Sequence, residues 1–361
     1  VRVRLCIAIV SLACLATFPQ RAAAEQFAYI YATNSNNGYA LFGVDPVTGD
    51  RTIVSSIDRG TGPIGMLWGL TANNSGDIYV TDLGLDAILS IDPRTGNRRV
   101  VSSATVGTGP TFLAPSSITL DPDGNLIVLA GAFTNSGIWK IDPQTGNRTI
   151  ISSQSLGIGS GSNFLDPRDV AVEPGGRIVV ADRIGIMSVK PESGERRSIS
   201  SSEPPVRGTG SHLLIPSAIA VAQGGSLVVA DNGTHFLLSI DPVSGDRTVL
   251  RGTVQARDVA VDSHNNLLYV EGDTIYRYDP ISRTREVVSS SSSTFALRRG
   301  EGPAFPNIRS IAYVVIPEPA TNLLLAFGLL SICGPRLLKS RTRNAGGAHF
   351  AKLFSALHPL R

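Results

Sequence analysis

The sequence predicts an all-β fold: a six-bladed β-propeller with four antiparallel strands per blade, closed by N- and C-terminal strands that share one blade. Three observations predict it. A turn phrase of the form Asp-Pro-x-Thr/Ser-Gly-x-Arg recurs six times between residues 44 and 285. A second hairpin turn lies upstream of each copy, giving four strands per repeat. The composition is rich in turn formers, with 37 Gly, 22 Pro and only 17% charged residues. A length of 361 residues would alone imply two or three domains, but an internal repeat overrides that prior.

The repeat starts at Asp45, Asp92, Asp142, Lys190, Asp241 and Asp279, a period of about 50 residues that shortens at the last copy. Each copy reads as a hairpin turn. The aspartate caps the turn through its side chain, Pro presets φ, and Gly supplies a positive φ. The sixth copy has Arg283 in the glycine place, so a looser turn is expected there. The upstream hairpins run, for example, Ser117 to Val128 and Ala218 to Val229, with Asp-Gly or Gly-Gly at the tip. Complete four-strand units start near Leu67, Ser116, Asp169, Ala218 and Asp258. The segment at Tyr29–Tyr31 lacks a first strand, and Ile308–Val314 is a first strand with nothing after it. Zipped together they make the sixth blade and remove two exposed edges.

The two ends read as addresses. Residues 1–24 carry Arg2 and Arg4, an apolar run from Leu5 to Phe18, and Ala22-Ala23-Ala24. That is a signal peptide with cleavage before Glu25. At the other end, Pro317-Glu318-Pro319 precedes an apolar span and then Arg336, Lys339, Arg341 and Arg343. Ala320–Leu338 would be about 28 Å long as a helix, close to a hydrocarbon core of about 30 Å. Helical apolar segments are therefore expected at both ends. Residues 317–343 would form a sorting and transmembrane segment, and 344–361 a basic, disordered tail. The positive charge sits in these ends, which leaves the body 25–316 mildly acidic and without the footprint of a nucleic-acid binder. Cys6, Cys14 and Cys333 are also terminal, so no disulfide or cysteine-based metal site is possible in the body.

Pro317, Glu318 and Pro319 with the apolar span and basic cluster resemble the PEP-CTERM sorting signal of Gram-negative bacteria. The resemblance implies export machinery and an exosortase-like enzyme as partners, transient anchorage in the membrane, and delivery to the cell envelope or the extracellular matrix linked to exopolysaccharide. The recurring Val179-Val180-Ala181-Asp182, Val229-Ala230-Asp231-Asn232 and Tyr79-Val80-Thr81-Asp82 resemble NHL-repeat propellers, and more distantly gluconolactonase-like ones. A gluconolactonase-type site would need a Glu early in the body and an Asn and an Asp in the channel. Glu25 precedes the fold and no aligned channel position is Asn, so that activity is not expected.

Loops 1–2 and 3–4 of each blade should share one face, and loops 2–3 and 4–1 the other. The Gly-rich connections such as Gly60-Thr61-Gly62-Pro63 would then be flexible inter-blade connectors. No helix or P-loop Lys follows them, so they are not phosphate cradles. The channel mouth should be lined by Gly69, Ser117, Asp169, Ala218, Asp258 and Ser310, preceded by Trp68, Ser116, Arg168, Ser217, Arg257 and Arg309. The ligand-binding candidates are Arg168, Asp169, Arg257, Asp258, Arg309 and Trp68. The arginines could meet anionic groups such as uronates, and Asp169 and Asp258 could hold a cation such as Ca²⁺. The plainer expectation is that each Asp pairs with a neighbouring Arg or caps a backbone end. Asp82, Asp182 and Asp231 recur too regularly for a site and should serve turns. No nucleophile elbow or Ser/His/Asp set is present, and no cofactor apart from Ca²⁺ is expected. The chain therefore reads as a non-enzymatic binding or scaffold protein. The alternatives are a divalent-cation-dependent hydrolase or lactonase acting at the channel mouth, and a protein-binding propeller.

Overall fold

A computed structural model describes residues 26–34, 39–132, 135–292 and 298–317. Six four-stranded antiparallel sheets are arranged as blades. Blade 1 holds β1 (Gln26–Asn34), β2 (Leu41–Val44) and β3 (Arg51–Ser55). Blade 2 holds β4 (Leu67–Ala72), β5 (Ile78–Asp82), β6 (Ala87–Ile91) and β7 (Arg98–Ser102). Blade 3 holds β8 (Pro115–Leu120), β9 (Leu126–Ala130), β10 (Gly137–Ile141) and β11 (Arg148–Ser153). Blade 4 holds β12 (Pro167–Val172), β13 (Ile178–Asp182), β14 (Gly185–Val189) and β15 (Arg196–Ser200). Blade 5 holds β16 (Pro216–Val221), β17 (Leu227–Asp231), β18 (Phe236–Ile240) and β19 (Arg247–Gly252). Blade 6 holds β20 (Val259–Val261), β21 (Leu267–Glu271), β22 (Thr274–Asp279) and β23 (Thr284–Ser290). The last strand, β24 (Ile308–Pro317), returns to blade 1 and pairs with β1 from Gln26↔Pro317 to Asn34↔Ile308. The closure expected from Tyr29–Tyr31 and Ile308–Val314 is the one found. The predicted signal peptide, the Glu318–Pro319 part of the sorting motif, the helical terminal segments and the basic tail lie outside the described residues. Among the described residues no helix is long and apolar enough to cross a membrane.

The core lies in the seams between blades. Strand two of blades 2 to 5 is buried on both faces, as in Ile78–Asp82 and Leu126–Ala130. This explains why these strands read as continuous apolar runs rather than alternating ones. Each apolar cluster joins neighbouring sheets; one unites Ile127 and Leu129 of blade 3 with Val170, Ile178 and Val180 of blade 4. The turn aspartates do cap. Asp45 Oδ1 accepts from the amides of Val47 and Thr48 at 2.7 and 3.0 Å. Asp82, Asp182 and Asp231 are buried at the ends of second strands. Asp82, for instance, accepts from Gly65, Met66, Gly84 and Leu85 amides at 2.6–3.0 Å.

The Gly-rich connectors are not loose linkers on the opposite face. Each packs on the repeated turn of the next blade, because blade twist carries the outer strand around the rim toward that turn. Arg98, the last residue of the second turn phrase, is the hub. Its guanidinium donates to Ser55 Oγ (2.6 Å) and to the carbonyls of Ser56 (2.8 Å), Arg59 (2.9 Å), Gly62 (3.0 Å) and Pro63 (3.1 Å). A guanidinium has five N–H donors in a fixed fork, so one side chain can collect a whole loop of carbonyls. The Arg98 amide adds a bond to Thr61 O at 2.8 Å. The same clamp recurs at Arg148 on Ser102, Arg196 on Ser152, Arg247 on Ser200 and Arg51 on Ser289. All five arginines are buried. The turn glycine has a second reason to be glycine. A Cβ on Gly60 would lie 1.9 Å from Gly96 O, and one on Gly96 would lie 2.5 Å from Val54 O.

The sixth seam, between blades 5 and 6, departs from this. Its connector is short, the clamp serine is replaced by Arg251, and Arg285 turns instead to Tyr276, lying 4.5 Å over its ring. With no connector to meet, the turn accepts Arg283 at φ 59° in the glycine place. The turn is not looser: pairing reaches one step further out, to Asp279↔Thr284.

Candidate functional site

The first strand of most blades begins with a bulge. The register shifts between Pro115 and Ser117, Pro167 and Asp169, Pro216 and Ala218, and Thr33 and Asn34 opposite β24. Ser116, Arg168, Ser217 and Arg309 are the extra residues, and a bulge re-aims such a side chain out of the ladder. They line one central cavity of about 910 Å³ together with Trp68, Asp169, Arg257 and Asp258. All six candidate residues from the sequence thus border one space. Ala218 does not: it is buried away from the cavity, because the bulge presents Ser217 there instead.

The two aspartates tie blades together. Asp169 Oδ1 accepts from the Ser117 hydroxyl of blade 3 (2.6 Å) and its neighbour Val170 N (2.9 Å), and Oδ2 accepts from Ile219 N of blade 5 (2.7 Å). Asp258 accepts from Val259 N and from Ile311 N of blade 1, each at 2.8 Å. Neither pairs with its neighbouring arginine. Of the two plain expectations, backbone capping holds and the Asp169–Arg168 or Asp258–Arg257 ion pair does not. Arg168 pairs with Asp166 at 2.8 Å, and Arg309 lies over the Trp68 ring, 4.3 Å from its centroid. Among the described residues, Arg257 makes no side-chain hydrogen bond or ion pair.

Both carboxyls touch channel solvent on one side while protein surrounds them on the others. Burial pushes Asp169 up to about 6. Burial, and then repulsion from Asp169, pushes Asp258 up to about 8, against the hydrogen bonds that favour its charged form. Of the two, Asp258 is held the more strongly toward its neutral form. The cavity carries the guanidiniums of Arg168, Arg257 and Arg309 beside the carboxyls of Asp166, Asp169 and Asp258, and the upward shift of the aspartate pair tips that even balance toward positive. Burial, then the charge of Arg257, lowers the Arg309 pKa, consistent with two like charges sharing the mouth.

Asp169 and Asp258 fit a divalent cation poorly. Each already spends both oxygens on N–H or O–H donors, and no group of three or more His, Cys, Asp or Glu that could hold a metal occurs among the described residues. What the sequence did not reveal is that the arginine closing five of the six turn phrases is a buried clamp. The signal was a charged residue recurring at a fixed place in a short strand, followed by a Ser pair in five of the six copies.

No family profile matches the chain, and no curated protein matches it. Among solved structures it is similar to a chain of a nidogen/laminin complex, at 14% identity and a TM-score of 0.60, over 79% of this chain and 98% of the other. At that identity the likeness speaks for the fold, a β-propeller, and for nothing beyond it.

Proposed function

We propose that this protein is an exported, non-enzymatic binding or scaffold propeller of the cell envelope or extracellular matrix, and that its central cavity receives an acidic saccharide. The observation that carries the reading is the group of cations at one mouth: Arg257, with no side-chain hydrogen bond or ion pair among the described residues, borders the same polar cavity as Arg168, Arg309 and Trp68. A guanidinium matches a carboxylate in a two-point hydrogen bond, and an aromatic edge or face suits a sugar ring. A uronate-bearing polymer such as exopolysaccharide presents both. The address is part of the proposal. Residues 1–24 act as signal peptide, and 317–343 as a PEP-CTERM-like sorting segment read by an exosortase-like enzyme in a Gram-negative cell. The repeat is taken as NHL-like.

Calorimetric titration of the purified protein with oligouronates and with neutral oligosaccharides of equal length tests the ligand. Oligouronates should bind, more weakly as salt rises, and Arg257→Ala should lower the affinity about tenfold or more. Equal binding of neutral and acidic sugars, or an unchanged affinity in Arg257→Ala, would sink the reading. Fractionation of expressing cells tests the address separately.

A further inference from the structure

Within the repeated turn phrase, exposed aliphatic side chains fall in one sector of the rim. The third residue of the turn phrase is Val47 in blade 1, Val243 in blade 5 and Ile281 in blade 6, exposed to 77%, 79% and 94%. In blades 2, 3 and 4 the same position holds Arg94, Gln144 and Glu192. The aliphatic copies therefore fall on three consecutive blades. An arginine stands by each tip. Arg207 donates to Val243 O at 3.4 Å, Arg299 donates to Val47 O at 2.9 Å, and Arg283 is two residues beyond Ile281. Other exposed aliphatics, such as Ile57, Leu113, Leu156 and Val206, lie on the connectors rather than in the turn phrase.

This sector shares a side with the end of β24. Arg277 links Asp262, in the loop between β20 and β21, to the turn of blade 1. It sits 3.1 Å from the Asp262 carboxylate and 3.5 Å from Pro46 O. Ser263 of the same loop meets the Tyr313 hydroxyl of β24 at 2.9 Å. Four residues further on, at Pro317, the described chain ends. In sequence it continues into the apolar stretch 320–338 and a basic cluster.

We propose that this sector is a peripheral membrane face. The aliphatic tips enter the boundary between headgroups and acyl chains of a bilayer, and the arginines beside them meet lipid phosphates. Side chains with an apolar body and a cationic neighbour suit that layer, where one end is dry and the other wet. The inference rests on the proposed tail anchorage only for what brings the protein to the bilayer. It leaves the arginine-lined mouth on the side facing away.

The test uses the full chain with Cys6, Cys14 and Cys333 replaced by Ser. Val243→Cys and Ile281→Cys probe the sector, and Gln144→Cys and Glu192→Cys probe the opposite rim. Each carries an environment-sensitive fluorophore and is mixed with vesicles of phosphatidylcholine and phosphatidylglycerol, some with brominated acyl chains. The labels at 243 and 281 should shift to the blue and be quenched by bromine, while those at 144 and 192 stay in water. If the protein floats with the vesicles and all four labels stay in water, the anchorage stands and the membrane face is wrong. A chain that does not float overturns both. A blue shift at 243 and 281 without vesicles, growing with protein concentration, would mean that a second copy covers the sector, and would also overturn the proposal.

Discussion

Two kinds of seam hold neighbouring blades together, and they differ in chemistry. Among the described residues, five seams carry a buried arginine that satisfies the carbonyls of a whole connector. The seam between blades 5 and 6 carries none. There Tyr269, Tyr276 and Tyr278 pack with Leu237, Val254 and Ala256, and the Tyr278 hydroxyl donates to Leu250 O at 2.7 Å. At the inner end, Ser117, Asp169 and Asp258 reach across to amides of the following blade, whereas the equivalent residues of blades 2 and 5, Gly69 and Ala218, have nothing to reach with. Buried Arg251 Nε even lacks a hydrogen-bond partner. One seam therefore relies mainly on apolar and aromatic packing with scattered bonds, such as Gln223 Nε2 to Ser263 O at 2.9 Å, while the other five add an arginine fork that fixes the blade angle. The lesson is that a closed ring does not need every joint made alike. The chain closure itself, across Arg51 and Ser289, is of the clamped kind.

The largest test removes a clamp. Arg196→Ala leaves the carbonyls it served buried and unpaired, and should cost about 3–5 kcal/mol in equilibrium denaturation. Arg285→Ala at the sixth seam breaks a partly exposed pair with Glu271 at 3.6 Å and should cost about 1 kcal/mol or less. Equal losses would dissolve the distinction. A smaller contrast concerns the turns. Gly96→Ala places a methyl against Val54 O at a positive φ and should cost about 2–3 kcal/mol, whereas Arg283→Gly should change stability by less than about 1 kcal/mol. A costly Arg283→Gly would mean that the sixth turn is held by contacts the clamp account overlooks.

The inner ties give the third test. The carboxyls of Asp169 and Asp258 lie at about 6 and about 8, above the ordinary 3.8. Between about pH 4 and about pH 8 the folded chain keeps protons that the unfolded chain releases. This contribution is most favourable below that window, falls as pH rises, and levels off once Asp258 ionises. In Asp258→Asn the fall between those pH values should be shallower, although the variant is less stable overall because an amide can accept from only one of the two N–H groups. An unchanged pH slope in denaturant midpoints would count against a raised pKa.

The sequence made much of this legible, and the reason is repetition. The turn phrase revealed the number of blades and the hairpin joining the third and fourth strands of each, since turns are local and depend on Asp, Pro and Gly. The interlock followed from counting strands left over at each end. The seams were not legible in the same way. Whether Arg98 points to solvent or into a neighbouring blade depends on blade twist, which no short window of sequence encodes. For the cavity, the sequence brought Trp68, Arg168, Asp169, Arg257, Asp258 and Arg309 to one mouth through repeat alignment. It could not say that Arg309 lies on Trp68 or that Asp169 binds Ile219, because those partners sit on other blades. The missing glycine at Arg283 suggested looseness, when the cause was a missing neighbour.

The join between β1 and β24 has a temporal consequence. As the chain is synthesised, the first hairpin emerges roughly 280 residues before its innermost partner. The loop that fills the Arg51 fork, Arg299 to Pro303, comes almost as late. Closing so long a loop is entropically slow, and proteins dominated by such distant pairings fold late and as a unit. Nascent chains that stop short of Ile308 should leave β1 with a bare edge, the kind of surface that chaperones shield and other strands adopt.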